Sequence, residues 1–169
     1  TTTAQIVFNN TGTINGTGLL VLTAGGTHTG NFAMDAGGTV QLNGGTHTFG
    51  GTNTTGGAGR LLLSSGTATA GGGSMSTTAR WDLEGGTVSG AGSLALNGTA
   101  NWTGTVFGGG SNTSFGGALA ISGSGMHDVV GAAVTFAGTT TWTNANAGNL
   151  GQIRGGNSTT LTNTGTFVD

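Results

Sequence analysis

Short apolar alternations recur along the chain, each about five residues long. Gly18-Leu-Leu-Val-Leu22 is followed by Gly38-Thr-Val-Gln-Leu42, Gly59-Arg-Leu-Leu-Leu63 and Ala79-Arg-Trp-Asp-Leu83. The anchors Leu22, Leu42, Leu63 and Leu83 lie 20, 21 and 20 residues apart. The series continues less evenly with Gly92-Ser-Leu-Ala-Leu96, Gly117-Ala-Leu-Ala-Ile121 and Ala132-Ala-Val-Thr-Phe136, and an earlier copy is Ala4-Gln-Ile-Val-Phe8. A period of about 20 residues is the mark of a solenoid. A second element follows each anchor, a small-residue bend and then a Thr-rich stretch, as in Gly26-Thr-His-Thr29, Gly45-Thr-His-Thr48 and Gly66-Thr-Ala-Thr69. β-Branched Thr favours strands, and Gly-Gly or Asn-Gly supplies the bend.

Hairpins would not bring equivalent residues of successive units into register. In a parallel β-helix each unit is one coil about 4.8 Å above the last, and like residues form ladders. The pattern therefore predicts an all-β chain, a single right-handed parallel β-helix over residues 1–169 with no recognisable caps. It has about 20 residues per coil and roughly eight coils, a rod about 40 Å long. The predicted core ladder is Phe8, Leu22, Leu42, Leu63, Leu83, Leu96, Ile121 and Phe136, with Ile6, Leu20, Val40, Leu61, Trp81, Leu94, Leu119 and Val134 beside it. The position between each inward pair varies freely (Val21, Gln41, Leu62, Asp82, Ala95, Ala120, Thr135), as an outward face does. Arg60, Arg80 and Asp82 fall only on outward positions. The segments Gly104 to Gly116 and Gly71 to Ser76 are expected to be corner loops.

Composition sharpens this picture. Of 169 residues, 39 are Gly, 34 Thr, 14 Asn and 11 Ser, while Lys, Pro, Cys and Tyr are absent. Gly and Thr are poor helix formers. The absence of Pro suits stacked strands, where nearly every N–H is a donor to the next coil. Disordered chains combine low hydrophobicity with high net charge. Here 34% of residues are apolar and the net charge is −2. Three Arg and no Lys exclude the basic stripe of a nucleic-acid binder, and no apolar run is long enough for a membrane span.

The pattern Leu-x-Leu-x-Gly-Gly-Thr-x-Thr-x-x-Gly resembles the β-strand repeats of bacterial surface proteins, autotransporter passengers and filamentous-haemagglutinin-like adhesins. Gly25-Gly-Thr-His-Thr-Gly-Asn-Phe32, Ala36 to Thr48, Thr139 to Asn144 and Leu161 to Phe167 carry the likeness. The resemblance implies secretion, exposure on a bacterial cell surface and a structural role as a shaft. Both ends read as further repeat, so the chain is either a slice of a longer shaft or a subunit whose copies stack head to tail by strand pairing, the second being preferred. A carbohydrate-binding adhesin module is the alternative; an ice-binding solenoid and a polysaccharide lyase come after it.

No catalytic, metal or cofactor residues are assigned, and no enzymatic activity is expected. Asp82 and Glu84 lie i, i+2 on one strand face with Arg80 beside them; this reads as a solvated ion pair more readily than as the paired carboxylates of a glycosidase. His28 and His47 occupy the same repeat position, half of a zinc site at best. If Thr27/Thr29, Thr46/Thr48 and Thr67/Thr69 face outward they form an ice-like lattice, but the His residues then enter the core. Trp102 and Trp142, each flanked by Thr, read as core residues first and as sugar platforms second. Glycosylation sequons begin at Asn9, Asn15, Asn53, Asn97, Asn101, Asn112 and Asn157.

Overall fold

In the computed structural model, described for residues 1–50, 57–143 and 151–169, all assigned secondary structure is β. Every strand pairing is parallel, and each links a strand to the one a single turn away. The chain is a β-solenoid with three faces.

The first face stacks nine strand segments: Thr2–Ala4, Leu19–Leu22, the beginnings of Thr39–Phe49 and Arg60–Ala70, then Arg80–Leu83, Ala100–Trp102, Leu119–Ser122, Thr139–Thr143 and Thr166–Val168. The second face holds Gly26–His28, the far ends of the two long strands, Thr87–Ser89, Val106–Gly108, His127–Val130 and Ile153–Gly156. The third holds Ser74–Thr77, Ser93–Leu96, Asn112–Phe115, Ala133–Phe136 and Thr160–Asn163, with Thr13–Ile14 paired to Asn31–Phe32 nearer the start. Six turns, those opening at Leu19, Arg60, Arg80, Ala100, Leu119 and Thr139, carry a strand on all three faces. That is slightly fewer than the roughly eight expected, because the first turn has only an Asn10–His28 bridge on its second side and the third turn is described on two sides.

The three faces resolve the uneven part of the repeat. Leu22, Leu42, Leu63 and Leu83 do form one inward column, and all four are fully buried. Its next members are Trp102, Ile121 and Trp142, so from Leu22 onward the column keeps a spacing of 19 to 21 residues. Leu96 and Phe136 belong to a separate column on the third face, between Thr77 and Asn163 with Phe115 among them. The predicted single ladder is thus two, merged because Ser-Leu-Ala-Leu96 and Ala-Leu-Ala-Ile121 look alike on different sides. The first copy is also displaced. Thr2–Ala4, not Ala4–Phe8, pairs with Leu20 to Leu22, so Ala4 takes the core position; Phe8 is half-buried and Ile6 is 73% exposed. The segment 104–116 is not a loop but contributes two strands, and Ser74 to Ser76 lie in a third.

The Gly-Thr step of the repeat marks the corner between first and second faces. Gly66 and Gly86 have φ of +79° and +69°. A Cβ on Gly66 would lie 2.6 Å from the Gly45 carbonyl oxygen, and one on Gly86 would lie 2.5 Å from that of Gly66. Left-handed backbone and close approach of turns both require glycine there.

Inside, aliphatic and aromatic side chains form one continuous cluster from Leu22 to Phe136. Trp102, Phe107, Phe115 and Phe136 meet edge-on or tilted at 4.9–6.2 Å between centroids, the favoured arrangement for aromatic quadrupoles.

Candidate functional site

The first face carries most of the chemistry. Its outward positions from successive turns are Thr39, Arg60 and Arg80 in one column, and Gln41, Leu62, Asp82 and Asn101 in the next. Registers of 20 or so residues thus bring Arg60, Arg80, Asp82 and Asn101 together. Asp82 is only 2% exposed although it faces outward. Its carboxylate accepts from Arg60 Nη1 at 2.6 Å, from Arg80 Nε at 3.0 Å and from Asn101 Nδ2 at 2.7 Å. Burial alone would raise its pKa; the three donors and the Arg80 charge outweigh that and hold it below the usual carboxylate value. Arg60 is further fixed by donation from Nε to Thr39 Oγ1 at 3.1 Å.

Beside these arginines lies a depression of about 260 Å³ lined by Gly37, Gly38, Thr39, Ala58, Gly59, Arg60 and Arg80. Further along the same face a smaller trough of about 180 Å³ runs over Thr99, Asn101, Ala118, Ala120, Thr139 and Thr141.

The ion pair expected of Asp82 and Arg80 forms, whereas the less favoured pairing of Asp82 with Glu84 does not. Glu84 is exposed just beyond the strand, and the partners of Asp82 come from three different turns. Asp128 sits on the second face in a bidentate pair with Arg154, Nε and Nη2 each at 2.7 Å. That pairing, with a minor contribution from His127, lowers the Asp128 pKa. Asp35 lies exposed between strands.

The histidines answer the orientation of Thr-x-Thr. Thr27, Thr48 and Thr69 stack in one outward column and Thr46, Thr67 and Thr87 in the next. His28 and His47 accordingly point inward and are fully buried. They are offset by two residues in register, not level as expected, since Gly26 pairs with His47 and His28 with Phe49. Their rings still stack, with centroids 5.3 Å apart, and His28 Nε2 lies 3.0 Å from His47 Nδ1. His47 Nε2 lies 3.1 Å from the Gly44 carbonyl oxygen. That oxygen can only accept, so the neutral His47 carries its proton on Nε2. Its Nδ1 is then the acceptor, and His28 Nε2 donates. Pairing makes two polar rings tolerable in a core that also packs Phe32 and Phe49 against His28 at 5.1 and 5.2 Å. Among the described residues no cluster of three metal-ligating side chains occurs.

Trp102 is fully buried, its Nε1 donating to the Thr105 carbonyl, and Trp142 is half-buried in the same inward column. Of the sequons, Asn9, Asn15, Asn97, Asn112 and Asn157 are exposed, Asn101 is half-buried beneath its bond to Asp82, and Asn53 lies outside the described residues. The part of the site that sequence reasoning missed is Asn101 together with the depression and trough. The signal for Asn101 is its place 19 residues after Asp82. No family model matches the chain, and neither the curated proteins nor the solved structures include a match to it.

Proposed function

We propose that the chain is a structural shaft element of an extracellular surface fibre or adhesin, stacking end to end into filaments by strand pairing. The observation that carries this reading is the unbroken column of nine parallel strand segments along the first face, from Thr2 to Val168. At about 4.8 Å per turn this makes a rod near 40 Å long. Its hydrogen bonds run along the axis, so each turn is held by its neighbours alone.

The outermost described turns leave strand edges and apolar surface that further turns, of this chain or of another copy, would cover. Thr166–Val168 pairs with Thr139–Thr143 on one side, and Thr2–Ala4 with Leu19–Leu22 on one side. Leu161 and Phe167 occupy inward columns yet are 44% and 38% exposed, and Val168 beside them is 46% exposed. Further turns laid over this end would bury that surface. With eight charged side chains in 169 residues, little self-repulsion opposes association.

The outward Thr columns are the one observation behind an ice-binding reading. Each runs for three turns; the column of Thr27 then passes to Ser89 and that of Thr46 to Val106, Asp128 and Arg154, which favours the shaft.

Electron microscopy and sedimentation across a concentration series test the proposal. Filaments of constant width that lengthen with concentration are expected, and Leu161→Lys, which puts a charge in an inward column at the exposed end, should shorten them. An elongated particle that stays monomeric at every concentration would defeat end-to-end stacking and leave a shaft segment; a compact hydrodynamic shape would defeat both.

A further inference from the structure

We infer that the first face binds an acidic polysaccharide, with Arg60 and Arg80 holding a carboxylate or sulfate group and the trough beyond them receiving the neighbouring sugar units. This does not depend on whether copies of the chain stack.

The two arginines and Asp82 sum to one positive charge in a chain whose net charge is −2. The carboxylate lies on the outward side of its strand but is covered, and it is already satisfied by three donors. The guanidinium groups lie at the surface, with side chains 37% and 49% exposed. Arg60 uses Nε and Nη1 on Thr39 and Asp82, and Arg80 uses Nε on Asp82. Arg60 Nη2 and both Nη atoms of Arg80 have no bonding partner among the described residues. Asp82 thus fixes both arginines while leaving the Nη1–Nη2 fork of Arg80 and Nη2 of Arg60 open, an arrangement in which Arg80 takes a planar oxyanion with little loss of side-chain freedom.

The contrast with Arg154 is informative. There Nε and Nη2 both serve Asp128, so the pair is closed and neutral. At Arg60 and Arg80 the adjacent depression is lined by Gly37, Gly38, Ala58 and Gly59, which place no long side chain in the way of a bulky ligand.

A polymer is indicated by what lies in line with the depression. One turn past Arg80 and Asp82 the outward positions are Thr99 and Asn101, then Ala118 and Ala120, then Thr139 and Thr141. Three turns of short side chains leave a trough on the same face, and its walls offer hydroxyl and amide groups suited to sugar hydroxyls. Asn101 joins the two parts, since it lines the trough and donates to Asp82.

The test uses the whole chain at low salt, followed by NMR of backbone amides and arginine Nε–H groups. The titrants are an oligouronate, a sulfated oligosaccharide, a neutral oligosaccharide of equal length and inorganic sulfate. The oligouronate or the sulfated oligosaccharide is expected to shift Arg60, Arg80, Asn101 and Ala118 together; which of the two binds tighter identifies the anionic group. The neutral sugar should bind at least tenfold more weakly, and affinity should fall as salt rises. Arg80→Gln, at a half-exposed side chain, should weaken binding roughly tenfold, with Arg80→Lys intermediate. Arg154→Gln should leave it unchanged. Ala120→Gln, which fills the trough without touching the arginines, should weaken the oligosaccharide and not sulfate. The inference is overturned if neither acidic sugar shifts these residues, if Arg80→Gln binds like the wild type, or if Arg154→Gln costs as much. Binding of inorganic sulfate alone would likewise overturn it as a polysaccharide site.

Discussion

Acid should loosen this solenoid at its buried histidine pair well before its carboxylates titrate. Burial, with a smaller contribution from His47, lowers the His28 pKa from 6.5 to about 4, and burial lowers that of His47 as well. An unfolded chain takes up the His28 proton near pH 6.5, whereas the folded chain resists it down to about pH 4. Between those values the unfolded state binds more protons, so stability is full above pH 6.5 and falls as the pH drops. At about 1.4 kcal/mol per pH unit, the full loss from His28 is roughly 3 kcal/mol, of which about 2 kcal/mol is reached by pH 5. Asp82 and Asp128, whose pKa values are lowered from 3.8, begin to release their contribution only below that pH, so the two windows separate. Urea unfolding at pH 7.5, 6, 5 and 4.5 measures the loss, and the NMR titration of the His28 ring gives its midpoint directly. His28→Leu fills a similar volume and removes the titration, so its stability should change by roughly 2 kcal/mol less between pH 7.5 and 5. An equal pH slope in that variant, or a His28 midpoint near 6.5, would refute the reasoning.

Three further outcomes are expected. Gly66→Ala places a Cβ at positive φ and 2.6 Å from the Gly45 carbonyl oxygen, and should cost at least about 2 kcal/mol in urea unfolding. Leu63→Ala removes a fully buried side chain from the column centre. It should cost about 2–5 kcal/mol by the same measurement. Asp82→Asn should lose about 1–3 kcal/mol at neutral pH, since the half-exposed arginines recover water. It should also be less sensitive than the wild type below pH 4, because the lowered Asp82 pKa contributes stability above 3.8 that is lost as the pH falls further.

The solenoid was legible from Leu22 to Leu83 because there the first face carries the same residue in four consecutive turns. It became obscure at Trp102, where the column changes from aliphatic to aromatic while Leu96, on another face, preserves the familiar motif. A linear alignment tracks likeness, but stacking tracks distance along the chain, and the two part company in a three-sided coil. The N-terminal misreading has the same origin: Ile6-Val-Phe8 looks like a core strand, yet Ala4 holds the position one turn below Leu22. The outward placement of Arg60, Arg80 and Asp82 was legible from alternation. The near-complete burial of Asp82 was not, because it depends on side chains from the turns on either side closing over it. Histidine in the core looked unfavourable one residue at a time, and a diagonal partner two positions out of register removes the objection.

The parallel stack has a mechanical consequence. Tension applied between the two ends of the rod pulls along the inter-turn hydrogen bonds and loads the turns in series. The outermost turn therefore peels first, while the rest stay intact. Each turn of about 20 residues shortens the rod by roughly 4.8 Å and releases about 70 Å of extended chain. A single chain held by its two ends therefore yields under load in steps, and single-molecule extension should show those increments.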